Sequence, residues 1–349
     1  SGIRETFRNT TNSVVSLWEG VEMLEFLLEK LERSVPKWIR NRLEEAKDVL
    51  ECFCSSDEKY VRYLYLDKEQ LPILCAASRE IPDLLQKMLL DREEEISAIL
   101  TSGTLKAGAD FLRTRQVTGL EARAGVQEYV AESPFSYEKN CLLYLPKTLE
   151  HCRRGSREEA VMIANHIHSL ICSTYGHTLV LFTSYTLMGS VYQILRDSLP
   201  FPMVEVWRHS QEEILRFKTM ENGVLFAAGS CWEGVDFPGD MVSSLIIVKL
   251  PFAVPDPISE AEKETYESLE DYIQAIIVPD MQKRLRQGFG RAIRTETDTC
   301  VVSILDNRAV QGGKYHEDVL NALPTCQMAE ELREVQAFIR SRKGVEYYL

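Results

Sequence analysis

The chain has 349 residues, of which 45% are hydrophobic and 27% are charged, a composition typical of a folded protein with two or three domains. Its formal net charge of −13 argues against binding of nucleic acid over the whole surface, so a site for a polyanion must be local. The best apolar run, 243–254, is interrupted by Lys249, which argues against a membrane span. The first ten residues lack the apolar core of a signal peptide.

The nine cysteines show no C-x-x-C pair and lie mostly in apolar runs, as in a reduced cytosolic protein. Cys52 and Cys54 are the one close pair, and the spacing offers no two further ligands for a metal or an iron–sulfur cluster. We therefore predict a cytoplasmic protein with no metal site in this chain.

The first sixty residues have the apolar spacing of amphipathic helices. Apolar residues that recur every three or four positions predict a long first helix, and a second helix is expected after Pro36. The apolar positions of the first helix are Val14, Leu17, Val21, Leu24, Leu28 and Leu31. The simplest interpretation is a helical hairpin over residues 1–59 that packs along this stripe.

Strands are predicted from residue 60 onwards, first at 60–66 and 96–100. Further along, continuous apolar runs alternate with helical stretches. The runs are 141–145, 178–184, 223–230, 244–250 and 299–305, and the helical stretches are 158–173, 186–197 and 209–220. Strands buried on both faces that alternate with helices predict an α/β domain with a parallel sheet over residues 125–349, preceded by a separate region, 60–124.

Polar residues follow several of these runs, where open α/β sheets bind their ligands. The segments are 101–105, 183–185, 229–239 and 251–257. Each segment alone is equally compatible with an ordinary turn. Together they predict polar side chains along one edge of one sheet.

A basic stretch, 281–294, carries five positive charges and no acid. If 279–294 is helical, Gln287, Arg291 and Arg294 share one face, and arginine favours bidentate binding of phosphate. Gly288 and Gly290 each cost a helix interior about 0.5–1 kcal/mol relative to alanine, so a ligand or another backbone is expected to approach closely. The alternative is a solvated basic face.

Four segments in order resemble the motifs of superfamily 2 helicases of the XPD/DinG type, the bacterial DinG-like members most of all. LTSGTL is similar to motif III, LFTSY to motif IV, GSCWEGVDFPG to motif V and QGFGRAIR to motif VI. The resemblance implies the end of a first motor domain in 60–124 and a RecA-like second motor domain in 125–349. Residues 1–59 stand where this family inserts its arch domain, so they are expected to be arch-like.

The resemblance also implies roles for individual residues in a helicase that moves 5′-to-3′ on single-stranded DNA. Arg291 and Arg294 would reach ATP phosphates, with Gln287 beside the phosphates or the attacking water. The implied nucleotide-binding residues are Asp236, Glu233, Gly234 and Gly290, and the implied DNA contacts are Thr101, Ser102, Ser184, Tyr185 and Trp232. For Trp232, a plain core position is an equal alternative.

No G-x-x-x-x-G-K-[ST] motif occurs, and no acidic pair follows a strand in a way that would hold Mg²⁺. The expected partner is therefore a first motor domain upstream, which would bind most of the ATP and Mg²⁺ and where an iron–sulfur cluster is possible. This chain alone is predicted to be inactive. One alternative is a non-catalytic, helicase-derived module that binds nucleic acid or protein. A nuclease is disfavoured because no carboxylate cluster follows the strands.

Overall fold

The computed structural model describes residues 4–7, 12–30, 35–55, 57–67, 69–91, 97–106, 110–147, 149–207, 211–232, 234–237 and 239–348. These residues fold into two units. The first unit is formed from residues 1–99, 115–124 and 254–274, and the second from residues 100–114, 125–253 and 275–349.

The described residues form ten strands and thirteen α-helices. The strands are β1 (Arg4–Phe7), β2 (Tyr60–Leu66), β3 (Pro72–Ser78), β4 (Cys141–Tyr144), β5 (Thr178–Phe182), β6 (Met203–Val206), β7 (Val224–Ala228), β8 (Ser244–Val248), β9 (Cys300–Ile304) and β10 (Gln327–Ala329). The helices are α1 (Asn12–Glu29), α2 (Lys37–Cys54), α3 (Ile81–Leu89), α4 (Leu112–Thr118), α5 (Tyr137–Asn140), α6 (Arg157–Ser173), α7 (Tyr185–Leu195), α8 (Gln211–Lys218), α9 (Pro257–Lys263), α10 (Leu269–Tyr272), α11 (Val278–Phe289), α12 (His316–Ala322) and α13 (Leu332–Arg342).

The predicted helical hairpin in the first unit is confirmed as α1 and α2. Its small core is formed by Val14, Leu50 and Phe53. The predicted stripe is only partly buried, since Leu17 and Leu24 are exposed and Leu31 lies outside the described residues. Val14 is the one fully buried position among the described residues of the stripe, and Val21 and Leu28 are half-buried.

Residues 60–78 fold with the N-terminal helices rather than as the start of a separate domain. They form β2 and β3, which pair with β1 in an antiparallel sheet of order β1-β2-β3 and pack on α2. The segment 254–274 also belongs to this first unit. The observed units therefore differ from the predicted boundaries at 59/60 and 124/125, because strand pairing and packing join segments that are distant in sequence.

The second unit contains a seven-stranded sheet of order β10-β4-β9-β8-β5-β7-β6 in which every described strand pair is parallel. The residues of β4, β5, β7, β8 and β9 are all buried, and helices connect the strands. The predicted α/β fold with a parallel sheet is confirmed.

The strand predicted at 96–100 is not formed. Residue 96 lies outside the described part, and residues 97–100 have no regular structure; Ile99 is 88% exposed. A strand needs a hydrogen-bonded neighbour, and the described sheets pair no strand with this run.

Buried Asp306 connects the end of β9 to the segment after β8. Its carboxylate accepts hydrogen bonds from the Leu250 backbone N–H at 2.8 Å and from the Arg308 guanidinium at 3.0 and 2.7 Å. Burial alone would raise the pKa of this carboxyl, but these hydrogen bonds and the Arg308 charge outweigh burial and lower the pKa.

Substitution Asp306→Ala is expected to lower the free energy of unfolding by roughly 1–3 kcal/mol, because it leaves the buried Leu250 N–H without an acceptor, whereas the Arg308 guanidinium, at 42% exposure, can turn to water. Because the folded-state pKa is depressed, this contribution is complete above about pH 5 and is lost as the pH falls through the folded pKa. Urea unfolding at several pH values measures both effects. Asp197→Asn, at a side chain that is 85% exposed, is the control and should change little.

Candidate nucleotide and nucleic-acid site

Loops after β5 and β7 lie side by side at the carboxyl edge of the sheet, because these strands are paired in register from Thr178–Val224 to Phe182–Ala228. Ser184 follows β5 and caps α7, where its hydroxyl accepts a hydrogen bond from the Leu187 N–H at 3.4 Å. The predicted position of Ser184 at this edge is thus observed.

Tyr185 is held between the two loops. Its hydroxyl donates to the Ala228 carbonyl at 3.2 Å, and a side chain at Gly229 would place Cβ 2.7 Å from that hydroxyl oxygen. Its ring stacks on Trp207, with centroids 5.5 Å apart and planes 19° apart. Trp207 directly follows β6 and is 46% exposed, so the pair presents aromatic surface at the sheet edge.

Trp207 was not among the residues singled out from the sequence. Its strand, β6, has only four residues with alternating burial, and it was hidden between two predicted helices. The sequence does carry a signal for this strand, because residues 203–206 contain a short apolar–polar alternation that is followed directly by an aromatic residue.

Trp232 has a packing role. It is 9% exposed, and its indole N–H donates to the Phe182 carbonyl at 3.0 Å. Its ring fills the space above Gly288, where a Cβ would come within 2.7 Å of a ring carbon. Of the two alternatives for Trp232, the structure thus favours the core position, and the close approach expected at Gly288 is made by this ring rather than by a ligand.

The helix predicted over 279–294 ends at Phe289, so Gln287, Arg291 and Arg294 do not share one helical face. Tight turns replace the helix, with the Arg291 N–H donating to the Gly288 carbonyl at 3.0 Å and the Ala292 N–H to the Phe289 carbonyl at 2.9 Å. The prediction failed because the basic pattern continues past the true helix end.

Asp298 holds the turn after α11. Its carboxylate accepts hydrogen bonds from the Arg294 N–H at 2.8 Å and from the Thr295 N–H at 2.9 Å. Gly290 adopts an ordinary right-handed conformation there, with φ −60°, and a Cβ would lie 3.4 Å from its nearest neighbours. The expected close approach at Gly290 is therefore not observed.

Arg291 and Arg294 nevertheless converge on the loop after β7. Both guanidinium groups donate to the Val235 carbonyl, Arg294 at 3.4 Å. Arg294 also forms an ion pair with Asp236 at 2.9 Å. The predicted nucleotide-site residues Arg291, Arg294 and Asp236 are thus brought together.

The other predicted nucleotide-site residues have different positions. Gln287 is half-buried in the last turn of α11, and Gly234 adopts φ +74° in the loop after β7. Glu233 lies outside the described residues. The structure therefore gives no geometry for a role of Glu233.

Arg286 has a structural role within the basic stretch. Its guanidinium donates to the Ala322 carbonyl at 3.0 Å and to the Lys106 carbonyl at 2.6 Å, and burial lowers its pKa. Arg286 thereby attaches the segment that contains Thr101 and Ser102 to α11. Both of these residues are exposed, and the Ser102 hydroxyl accepts from the Thr104 N–H at 3.2 Å.

Within the described ranges, no group of three or more His, Cys, Asp or Glu side chains is arranged to hold a metal ion. The helices of the same ranges include none that is long and apolar enough to cross a membrane.

Residues 167–326 match the family model described as the helicase C-terminal domain. This part of the chain is therefore similar to helicase C-terminal domains. The match contains the loops after β5 and β7, α11 and both converging arginines. The resemblance to helicases of the XPD/DinG type that the four motifs indicated is confirmed.

Relatives with names from this family are similar over most of the chain. The ATP-dependent DNA helicase YoaA of Haemophilus influenzae is 32% identical over 252 residues, which cover 71% of this chain and 38% of that protein. The 3'-5' exonuclease DinG of Bacillus subtilis (strain 168) is 28% identical over 309 residues, which cover 83% of this chain and 32% of that protein. This chain thus spans about a third of the length of such relatives.

The solved structure of S. tokodaii Xpd4 is similar with a TM-score of 0.58 and 15% sequence identity. The similarity covers 94% of this chain and 62% of that chain. At this identity the comparison shows a shared fold, in agreement with the parallel sheet described above.

Gly288→Ala is expected to lower the free energy of unfolding by about 1–3 kcal/mol, because the new methyl group would displace the Trp232 ring. Gly290→Ala is the matched control two residues away, since its Cβ would make only ordinary contacts. Urea unfolding monitored by tryptophan fluorescence compares the two variants. Equal losses at both positions would contradict the packing role assigned to Gly288.

Proposed function

We propose that this chain is the C-terminal part of an ATP-dependent DNA helicase that couples ATP hydrolysis to 5′-to-3′ movement on single-stranded DNA. Its seven-stranded domain acts as the second motor domain and supplies Arg291 and Arg294 to the phosphates of ATP held by a first motor domain. The observation that carries this proposal is the convergence of the two guanidinium groups on the Val235 carbonyl beside Asp236.

Phosphoryl transfer accounts for the need for such a pair. Negative charge on the transferred phosphoryl group must be stabilised in the transition state. An arginine that reaches the phosphates from the opposite side of the site increases the rate of phosphoryl transfer by about 10³- to 10⁵-fold. A guanidinium carries five N–H donors in a fixed plane, so hydrogen bonds to Val235 and Asp236 orient the group without using its full donor capacity. Asp236 thus acts as a positioning residue for Arg294 in addition to its proposed contact with the nucleotide.

Gln287 and Gly234 complete the proposed nucleotide contacts. Gln287 lies in the turn of α11 that leads directly to Arg291, where an amide can bind a phosphate oxygen or the attacking water. Gly234 adopts a left-handed conformation in the loop that carries Val235 and Asp236, and this conformation is favourable for glycine. Glu233 and Gly290 remain predictions from the motif resemblance.

ATP with Mg²⁺ would be held mainly by the first motor domain. The sequence contains no phosphate-binding loop, so this chain by itself supplies arginines without the groups that bind the β- and γ-phosphates. Arg291 and Arg294 of this chain direct their positive charges towards the phosphates, and the cleft between the two motor domains opens and closes around the nucleotide.

The aromatic pair Tyr185–Trp207 is the proposed stacking surface for single-stranded DNA. Bases stack on aromatic rings without sequence preference, and each stacked base contributes about 1–3 kcal/mol. Ser184 lies beside this pair at the start of α7, and Thr101 and Ser102 offer exposed hydroxyl groups for phosphate oxygens. Trp232 is not included because its ring is packed inside the domain.

Arg291→Ala is expected to reduce kcat for ATP hydrolysis by about 10³-fold or more in a longer polypeptide that joins this chain to a phosphate-binding domain. Arg291→Lys should rescue little, because a lysine cannot make the planar multi-donor contact. Arg284→Ala, at an exposed position of α11, is the control. DNA-stimulated ATPase assays provide the measurement, and the affinity for single-stranded DNA should stay nearly constant.

An active ATPase in this chain alone, at helicase-like rates, would contradict the proposal. Unchanged turnover in Arg291→Ala and Arg294→Ala would favour the alternative of a non-catalytic binding module, because such a module does not require arginines at phosphates.

Trp207→Ala is expected to weaken binding of an oligothymidylate by about 5- to 150-fold, the equivalent of one stacked base. Fluorescence anisotropy of a labelled oligonucleotide measures the change. Trp38→Ala is the matched control, since Trp38 is 68% exposed on α2 and far along the chain from the sheet edge. Equal weakening by both substitutions, or by neither, would argue against the Tyr185–Trp207 surface.

A further inference from the structure

Three cysteines line up across three neighbouring strands of the seven-stranded sheet. Cys141, the first residue of β4, pairs with Cys300 of β9. On the other side, Gln327 of β10 pairs with Leu142, so Cys326, one residue earlier, stands opposite Cys141. The row Cys326–Cys141–Cys300 is therefore a consequence of strand register.

The register brings Cys326 and Cys141 within the range of a disulfide. Neighbouring strands lie about 4.8 Å apart, and disulfides join residues whose Cα atoms are about 4.4–6.8 Å apart. Residues that are opposite each other in parallel strands direct their side chains to the same face of the sheet. Strand register therefore places the two thiols side by side on one face of the sheet.

The two thiols have different environments. Cys141 is completely buried, whereas Cys326 is partly exposed, directly before the edge strand β10. The neighbouring Cys141 thiol lowers the pKa of Cys326, and the neighbouring Cys326 thiol together with burial raises the pKa of Cys141. Thiolate character and access to solvent are the properties that make a cysteine sensitive to oxidation.

Cys300 is less suited to this chemistry although it is equally close to Cys141 in register. Burial raises the pKa of Cys300 to about 12, so its thiol stays protonated. Cys172 provides the opposite comparison. It is an exposed residue of α6, but partial burial raises its pKa, and it lies outside the sheet that aligns the other three cysteines.

We propose that Cys326 and Cys141 are a peroxide-sensitive pair that forms a reversible disulfide, with Cys326 as the attacking thiol and Cys141 as the resolving thiol. The Cys326 sulfur attacks one oxygen of hydrogen peroxide, the O–O bond breaks, and hydroxide leaves and is protonated to water. The resulting sulfenic acid is attacked by the Cys141 sulfur, its S–O bond breaks, and a second water leaves with the Cys141 proton. Two thiols and one peroxide thus give one disulfide and two waters.

The disulfide would join β10 covalently to the sheet. Among the described strands, β10 lies at the sheet edge, pairs with β4 alone and has only three residues. It leads into α13, which packs on β4 and α6. A covalent link between residues 141 and 326 closes a long loop of chain, so the oxidised protein should unfold at a higher urea concentration than the reduced protein.

The test is oxidation of the folded chain with hydrogen peroxide, followed by alkylation of free thiols and peptide mass spectrometry. The expected product is one peptide pair joined through Cys326 and Cys141, with two thiols lost and both recovered after dithiothreitol. Cys326→Ser and Cys141→Ala should abolish the product, whereas Cys300→Ala and Cys172→Ser should retain it. Circular dichroism of each variant before oxidation separates a folding failure from a chemical one.

A second measurement keeps the proposal independent of the substitutions. In the unsubstituted chain, the urea midpoint should rise on oxidation and return on reduction. Three results would overturn the proposed pair. The first is oxidation of Cys326 to a sulfinic acid without a cross-link, and the second is a disulfide that joins Cys141 to Cys300. The third is cross-linked protein with an unchanged urea midpoint. None of these outcomes depends on ATP or DNA, so they do not test the helicase proposal.

Discussion

The parallel direction of the strands in the seven-stranded sheet is the constraint on which the candidate site depends. Because neighbouring strands run the same way, the carboxyl ends of β5, β6 and β7 lie along one edge. That edge therefore carries Ser184, Tyr185 and Trp207 together with the loop that contains Val235 and Asp236. An antiparallel arrangement of the same strands would distribute these residues over both edges.

The arginines reach this edge because α11 ends early. In a helix that continued to 294, Arg291 and Arg294 would project outward from the helix surface, whereas the tight turns after Phe289 bring both guanidinium groups to one carbonyl. The hydrogen bonds of Asp298 to two backbone N–H groups hold these turns. The backbone thus orients both arginines without a ligand, which would reduce the entropy lost in the proposed binding of a phosphate.

Hydrophobic runs predicted the central strands correctly because their residues are buried on both faces of the sheet, as in β5, β7 and β8. The edge strands β6 and β10 were missed because three or four residues give too short a pattern to recognise. Local patterns also could not show that residues 60–78 and 254–274 fold with the N-terminal helices, since such pairing joins distant segments. At the candidate site, charge patterning pointed to Arg291 and Arg294 and the motif resemblance to Asp236, but the hydrogen bonds to Val235 depend on a helix end that charge patterning does not encode.

The basic stretch that begins at residue 281 therefore has three physical roles instead of one. Arg286 satisfies two backbone carbonyls within the domain, Lys283 and Arg284 are exposed to solvent, and Arg291 and Arg294 bind the loop after β7. Trp232 joins these parts, because its ring packs on α11 while its indole N–H donates to the end of β5. Displacement of that ring would move the loop after β7 and α11 relative to each other. The glycine at 288 is consequently a requirement of packing, and through packing it maintains the geometry of the arginines.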